Sequence, residues 1–405
     1  MPLTFRAHPA LPLRVLLLDL THTSHTRART GVQRVCREVH RALARKEPVT
    51  TVTHDPFRRA WRLLNRAEQV TLSPAGTDSA AARGARWPQA TRWRGRLQRW
   101  LRLTPAPLPS ADALVVPEIF SPTVADALPG IFAHVTGPRV AVFHDAIALQ
   151  LPALTPPKSV ARFPAYLREL SLFDGIAAVS DASREALLGY WQEWEISPQP
   201  PVVTIPLGLT PRLATPPAAT SPIMPVVLCV GTLEGRKNHV ALLEAAQTLW
   251  DEGLVFSLHL IGMAHPQTGR AALERVAKLQ AAGHPLRYDG PVDDAALARA
   301  YAEATFTVYP SLLEGFGLPV LESLQYGKPC LCSSQGALGE SAREGGCLTL
   351  DPVDAPSLAA AIRRLLTEPA TLTTLTMAAQ SRTFRTWDDY AADLLHWMKT
   401  LPISR

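Results

Sequence analysis

Short uninterrupted apolar runs recur along the chain, each followed by a polar turn and a stretch with apolar positions three and four residues apart. In the first half these runs are Leu13–Leu18, Ala113–Val116, Val140–Phe143, Ile176–Val179 and Val202–Ile205. In the second half they are Val226–Val230, Phe256–Ile261, Leu286–Tyr288, Thr305–Tyr309 and Pro329–Cys332. Runs of this kind mark strands buried on both faces, as in a parallel sheet covered by helices. The intervening stretches read as those helices. Gly31–Lys46 sets Val32, Val35, Cys36, Val39 and Leu43 on one face, and Asp294–Ala304 does so with Ala296, Leu297, Ala300 and Tyr301. Asp181, Asn238 and Asp293 are residues suited to cap helices that run to Tyr190, Trp250 and Ala304. Further helices are expected near 357–367, 370–380 and 387–399. The alternation predicts an α/β protein.

The alternation is interrupted twice. Residues 54–110 fit it poorly and read as an excursion. Residues 206–225 hold Pro206, Pro211, Pro216, Pro217, Pro222 and Pro225 with few helix formers, as a linker does. The expected division is a first domain over 1–206, a linker over 207–225, a second domain over 226–385, and a closing helix within 386–405. A chain of 405 residues has room for two such domains, each with its own core.

Composition narrows the setting. No apolar run approaches the ~20 residues of a membrane-spanning helix. The stretch Leu11–Leu18 runs into Asp19 without a small-residue cleavage site, and reads as a first strand rather than a signal peptide. Cys36, Cys229, Cys330, Cys332 and Cys347 form no CxxC pair and read as buried free thiols of a reducing cytoplasm. Residues 1–220 carry 26 Lys and Arg against 16 Asp and Glu, and 221–405 carry 15 against 19. The basic half suits an anionic lipid surface or a phosphorylated acceptor.

The densest chemistry lies in Glu314-Gly315-Phe316-Gly317-Leu318-Pro319-Val320-Leu321-Glu322. Two carboxylates frame a glycine loop and a helix start at Pro319, just after the strand end Tyr309-Pro310-Ser311. Free N–H groups at such a start favour a diphosphate, and the carboxylates accept bonds from hydroxyls. That combination suits a sugar nucleotide. Upstream, Gly231-Thr232-Leu233-Glu234-Gly235-Arg236-Lys237-Asn238 joins a strand to a helix, and its two cations beside a helix N-terminus also suit a diphosphate. His144-Asp145 stands at the end of Val140–Phe143, where open α/β sheets place ligands. Thr30-Gly31-Val32-Gln33-Arg34 opens the first long helix. Asp181 accounts for a cap in Ser180-Asp181-Ala182-Ser183. His22 and His25 lack a third ligand at suitable spacing, so no metal is assigned.

This run resembles the donor signature of the retaining GT-B glycosyltransferases of family 4, and the resemblance extends in order along most of the chain, strongest over 226–335. It implies two Rossmann-like domains facing each other across a cleft, with the final helix crossing back onto the first. It implies that Glu314 binds the donor sugar and Glu322 the ribose, and that transfer uses neither a catalytic metal nor a cofactor. Arg236 and Lys237 look like the phosphate-binding segment; many members carry Arg directly after the glycine, where this chain has Thr232, and Arg236 supplies the charge. His144 matches a histidine that touches the donor sugar. Gly31 matches a loop closing near the phosphates, and Gly262 a glycine of the nucleotide pocket. Pro206-Leu207-Gly208 resembles a hinge-proximal turn. The candidate catalytic groups are therefore His144, Arg236, Lys237 and Glu314. The candidate donor-binding residues are Gly31, Thr232, Gly262, Gly315, Phe316, Gly317, Leu318 and Glu322, with Arg34 and Ser183 on the acceptor side.

The implied activity is retaining transfer of a hexose (mannose, rhamnose or glucose-like) from a nucleotide sugar to a hydroxyl of a glycan or lipid-linked acceptor, in cell-surface polysaccharide biosynthesis. An epimerase of the same fold, or a non-catalytic membrane-peripheral scaffold, is the competing reading. Arg83–Arg102 holds seven arginines and no acid, and its Trp93, Leu97, Trp100 and Leu101 share a helical face. Such a helix either packs on the core or lies on an anionic membrane. The expected location is cytoplasmic, peripheral on the inner face of the membrane, with no nucleic-acid partner.

Overall fold

The computed structural model describes residues 13–28, 31–73, 85–212 and 224–402. Thr30, Arg83 and the linker prolines Pro216, Pro217 and Pro222 lie outside the described residues. Among those described, two sheets form. The first holds β1 (Leu16–Asp19), β2 (Val49–Asp55), β3 (Ala60–Leu63), β4 (Ala113–Val116), β5 (Arg139–Phe143), β6 (Gly175–Ala178) and β7 (Val202–Thr204), in the order β3-β2-β1-β4-β5-β6-β7. The second holds β8 (Val226–Val230), β9 (Ser257–Ile261), β10 (Leu286–Tyr288), β11 (Phe306–Tyr309), β12 (Cys330–Ser333) and β13 (Cys347–Leu350), in the order β10-β9-β8-β11-β12-β13. Pairing is parallel throughout, except for the β2–β3 hairpin.

The central strands β1, β4, β6, β11 and β12 are buried along their whole length. Their apolar runs are therefore covered on both faces, and burial of each large aliphatic side chain stabilises the fold by about 1.5–3 kcal/mol. Helix Gly31–Ala44 covers the first sheet with Val35, Cys36, Val39 and Leu43. The helix Trp387–Met398, opened by a capping box of Thr386 and Asp389, returns to that same layer. Its Trp387, Tyr390, Leu394 and Met398 pack against Leu16, Leu18 and Val39. The outgoing and returning crossings run side by side, the Leu209 amide donating to the Arg385 carbonyl at 2.8 Å.

Several local expectations change. β1 begins at Leu16, not Leu13. The excursion does not begin at residue 54: His54 and Asp55 end β2, and Ala60–Leu63 form β3. β13 also went unread. β3 and β13 are edge strands and only partly buried, and β2, though paired on both sides, is polar and only half-buried over Val49–Thr51, so all three carry a weak apolar period. Ser180, not Asp181, caps the helix Asp181–Glu193, its hydroxyl accepting from the Ser183 amide at 3.0 Å. Asn238 precedes the helix His239–Asp251 in a left-handed conformation, and its amide donates to the Val353 carbonyl at 2.8 Å instead of capping. A tight turn running directly into a helix forces that conformation and turns the side chain away. Cys330 and Cys332 share one face of β12, beside Cys347, the register partner of Cys330.

The basic segment resolves into helix Gln89–Trp100, seated through Gly95 on the turn after β2. Arg92 and Arg96 stand over the Phe57 ring at 5.8 and 5.6 Å. Trp93 and Trp100 are 70% and 78% exposed, and Leu97 and Leu101 are exposed beside them. The core-facing alternative is thereby excluded. No helix among the described residues is long and apolar enough to cross a membrane.

Candidate active site

β8 and β11 are neighbours in a parallel sheet, so the turns after them emerge on one edge. The turn Gly235–Lys237 is tied to the loop after β11. The Leu312 amide donates to the Arg236 carbonyl at 2.9 Å, and Arg236 Nη1 donates to the Leu313 carbonyl at 3.1 Å. This brings Arg236, Lys237 and Glu314 together. Glu314 Oε1 accepts from Lys237 Nζ and Ser311 Oγ in short bonds, from Tyr309 OH at 3.1 Å, and pairs with Arg236 Nη1 at 2.8 Å. Arg236 also pairs with Glu234 at 2.9 Å, and Lys237 Nζ lies 4.7 Å from the Tyr309 ring centre.

The electrostatics follow from burial against pairing. Burial pushes the Glu314 carboxyl up, but the Lys237 and Arg236 charges and the bonds from Lys237 and Ser311 outweigh it and hold the group at about 2. Burial lowers Lys237, with Glu314 pulling the other way. Arg236 is lowered by burial and raised more strongly by Glu314 and Glu234. The result is an ionised, desolvated cluster.

The loop after β11 meets the first domain. A Cβ on Gly315 would lie 2.2 Å from the His144 carbonyl oxygen, so only glycine fits. The Gly315 carbonyl accepts from Ser180 Oγ at 2.7 Å and Ser183 Oγ at 3.2 Å, and Ser183 Oγ also donates to the His144 carbonyl at 2.8 Å. Ser183, expected on the acceptor side, is thus engaged in joining the two domains. Glu340 adds a second tie, accepting from the Asp181 and Ala182 amides at 3.1 and 2.7 Å. Phe316 and Leu318 pack against the core of the first domain. Gly317, at φ 102, turns the chain into helix Leu318–Gln325, whose start carries no side-chain cap.

His144 is buried and its Nε2 donates to the Pro117 carbonyl at 2.8 Å. Burial lowers its pKa, so the ring is neutral with Nδ1 as acceptor. Burial raises Asp145, whose carboxylate accepts from the Ile147 amide at 3.1 Å and orders the turn. Glu322 is buried on helix Leu318–Gln325, accepts from Tyr301 OH at 3.4 Å, and is ion-paired with Arg34 of the first domain. Gly262 backs onto Gly231 and the Thr232 amide in the turn after β8. A Cβ on Gly31 would touch nothing within 4 Å, so no close protein approach demands glycine there.

Sequence reasoning missed Ser180, Ser311, Tyr301 and Glu340. Ser311 and Tyr309 were legible as a strand end, but nothing local joined them to Glu314. Glu118 also went unread; it accepts from the His22 and Thr23 amides at 2.7 and 2.6 Å and shapes the loop before Gly31. His25 is taken by Glu68 at 2.9 Å and stacks on Trp87. Among the described residues, no three His, Cys, Asp or Glu side chains gather as a metal site requires.

Residues 224–368 match the family described as Glycosyl transferases group 1. The chain is 30% identical over 275 residues to the O-antigen chain mannosyltransferase B of Escherichia coli, covering 65% of this chain and 70% of that one. It is 25% identical over 362 residues to the serotype-specific mannosyltransferase WbdA of the same species, covering 82% of this chain but 40% of that longer protein. Among solved structures, sucrose-phosphate synthase from Thermosynechococcus elongatus superposes with a TM-score of 0.65 at 19% identity, covering 95% of this chain and 98% of that one.

Proposed function

The chain belongs to the group 1 glycosyltransferases of family 4 and has their GT-B fold, and on that premise we propose that it transfers a hexose, mannose in the first instance, from a nucleotide sugar to a hydroxyl of a glycan or lipid-linked acceptor. The observation that carries this is the Glu314–Lys237–Arg236 cluster beside the uncapped start of helix Leu318–Gln325, with the adjoining Gly315 seated on the His144 carbonyl of the first domain. The mannose assignment follows the names of the two Escherichia coli relatives.

The donor diphosphate lies between Lys237, Arg236 and the first N–H groups of that helix. Glu314 receives its four contacts on Oε1, so Oε2 is the oxygen that meets the sugar. His144 Nδ1 accepts a sugar hydroxyl, and Glu322 holds the ribose. Glu314 is tied to its two cations and is assigned no nucleophilic step; retention, which the family resemblance implies, then proceeds by direct transfer on one face of the sugar. The acceptor oxygen bonds to C1 on the face the diphosphate leaves, the C1–O bond breaks with its electron pair going to the phosphate oxygen, and that phosphate takes the acceptor's proton. Lys237 and Arg236 stabilise the departing charge without a divalent ion.

The exposed helix Gln89–Trp100 completes the reading. Two tryptophans and two leucines ringed by Arg94, Arg99 and Arg102 are complementary to an anionic bilayer, on which the enzyme rests at the cytoplasmic face. Proton NMR of the product formed by purified enzyme, in chelator, tests the mechanism. Retained anomeric configuration at full rate is expected; inversion, or activity that only Mg²⁺ or Mn²⁺ restores, overturns it.

A further inference from the structure

The two cations assigned to the diphosphate are already engaged. Arg236 and Lys237 face Glu314 and Glu234, two cations against two carboxylates, so the cluster is close to electrically balanced. Binding a diphosphate there calls for a further positive charge. Arg34 is placed to supply it.

Arg34 lies on the first turn of helix Gly31–Ala44 in the first domain and pairs with Glu322 in the second. The partners are unequal. The Glu322 side chain is 9% exposed, and that of Arg34 is 37% exposed. The carboxylate is therefore desolvated, and the Arg34 side chain keeps more than a third of its surface in solvent. Among the described residues, the Glu322 side chain accepts one further bond, a long one from Tyr301 OH at 3.4 Å. Without Arg34 it would be a buried charge with little compensation. The hydroxyls of a ribose are a suitable replacement, because they donate to the same oxygens.

We propose that Arg34 is an exchange residue: the nucleotide ribose displaces it from Glu322, and the released guanidinium turns to the diphosphate. This rests on the reading of Glu322 as the ribose ligand. The reach is short. Glu322 lies four residues into the helix whose start meets the phosphates, about 6 Å along its axis. A Cβ on Gly31, one turn before Arg34, would meet open space, so the swing is unobstructed at that point. Glu322 is the largest influence raising the Arg34 pKa, and a diphosphate offers the guanidinium the same kind of anionic partner. The exchange makes domain contact depend on donor: the interdomain ion pair gives way to a bridge through the nucleotide.

The exchange separates two ligands that a static strut would not. Guanosine, with a ribose and no phosphate, must compete with Arg34; GDP competes and then gains from it. Calorimetry on the full chain with guanosine and GDP, and with uridine and UDP as the second pair, compares wild type with Arg34→Met, Arg34→Lys and Glu322→Gln. Arg34→Met should tighten the nucleoside about fivefold and weaken the diphosphate about tenfold or more, as gain and loss of contacts to a charged group imply. Arg34→Lys should restore most of the diphosphate affinity, and its unchanged melting curve would show that the fold is intact. Loss of both ligands alike in Arg34→Met, or no change in either, would overturn the exchange. Nucleoside binding unaffected by Glu322→Gln would instead remove Glu322 from the ribose, whatever Arg34 does.

Discussion

Replacing Lys237 by Met keeps the length of the side chain and removes its charge from two places at once. The first is the leaving group. A preorganised charge stabiliser in a desolvated site contributes about two to three orders of magnitude in kcat, ~2.7–4 kcal/mol. The second is Glu314. Its surroundings carry it from 4.5 to about 2, which at ~1.4 kcal/mol per tenfold change in acidity is a native-state stabilisation of ~3 kcal/mol. The sign is that of a depressed carboxyl: the stabilisation is complete above pH 4.5 and is lost as pH falls from there toward 2. Without Lys237, Glu314 retains Arg236 at 2.8 Å, Tyr309 OH at 3.1 Å and Ser311. Part of the stabilisation therefore survives, and the variant should fold at neutral pH. Nucleoside diphosphate release at saturating donor gives kcat, and denaturant titrations at pH 7 and pH 3 give the linked stability. Wild type should lose more stability between those pH values than Lys237→Met does. A variant turning over within about threefold of wild type, or losing stability in acid just as wild type does, would refute the assignment of Lys237 to both roles.

Two further outcomes are expected. Glu322→Ala should weaken calorimetric binding of the free nucleoside diphosphate, whereas Glu314→Ala should leave it largely intact and relax selection among donor sugars; equal effects of both on the sugar-free ligand would refute the division. Vesicles containing anionic lipid should co-sediment the protein reversibly and with salt sensitivity, and Trp93→Ala with Trp100→Ala, or Arg94→Gln with Arg99→Gln, should release it. Binding that survives both double variants would place any membrane contact elsewhere.

Local pattern carried the elements whose burial is symmetric. Leu16–Leu18, Ala113–Val116, Val227–Cys229 and Phe306–Tyr309 are buried on both faces, and unbroken apolar runs record that in the order of residues. The same holds for Arg236, Lys237 and Glu314, because each sits in the turn after a strand, and turns after parallel strands share an edge. What the chain could not state locally is which strand lies beside which. The order β10-β9-β8-β11-β12-β13 sets β8 against β11, and only that adjacency brings the two cations to the Glu314 oxygen that Tyr309 and Ser311 of its own segment also contact. The pairing of Arg34 with Glu322, and the bonds from Ser180 and Ser183 to Gly315, join opposite domains and leave no periodicity in either segment. The Trp93–Trp100 face shows the remaining ambiguity. An amphipathic period says that one side of a helix is apolar, and only packing through Gly95 on Phe57 decided that this side meets solvent. Sequence order records how often a side chain must leave water; tertiary structure chooses what it meets when it does.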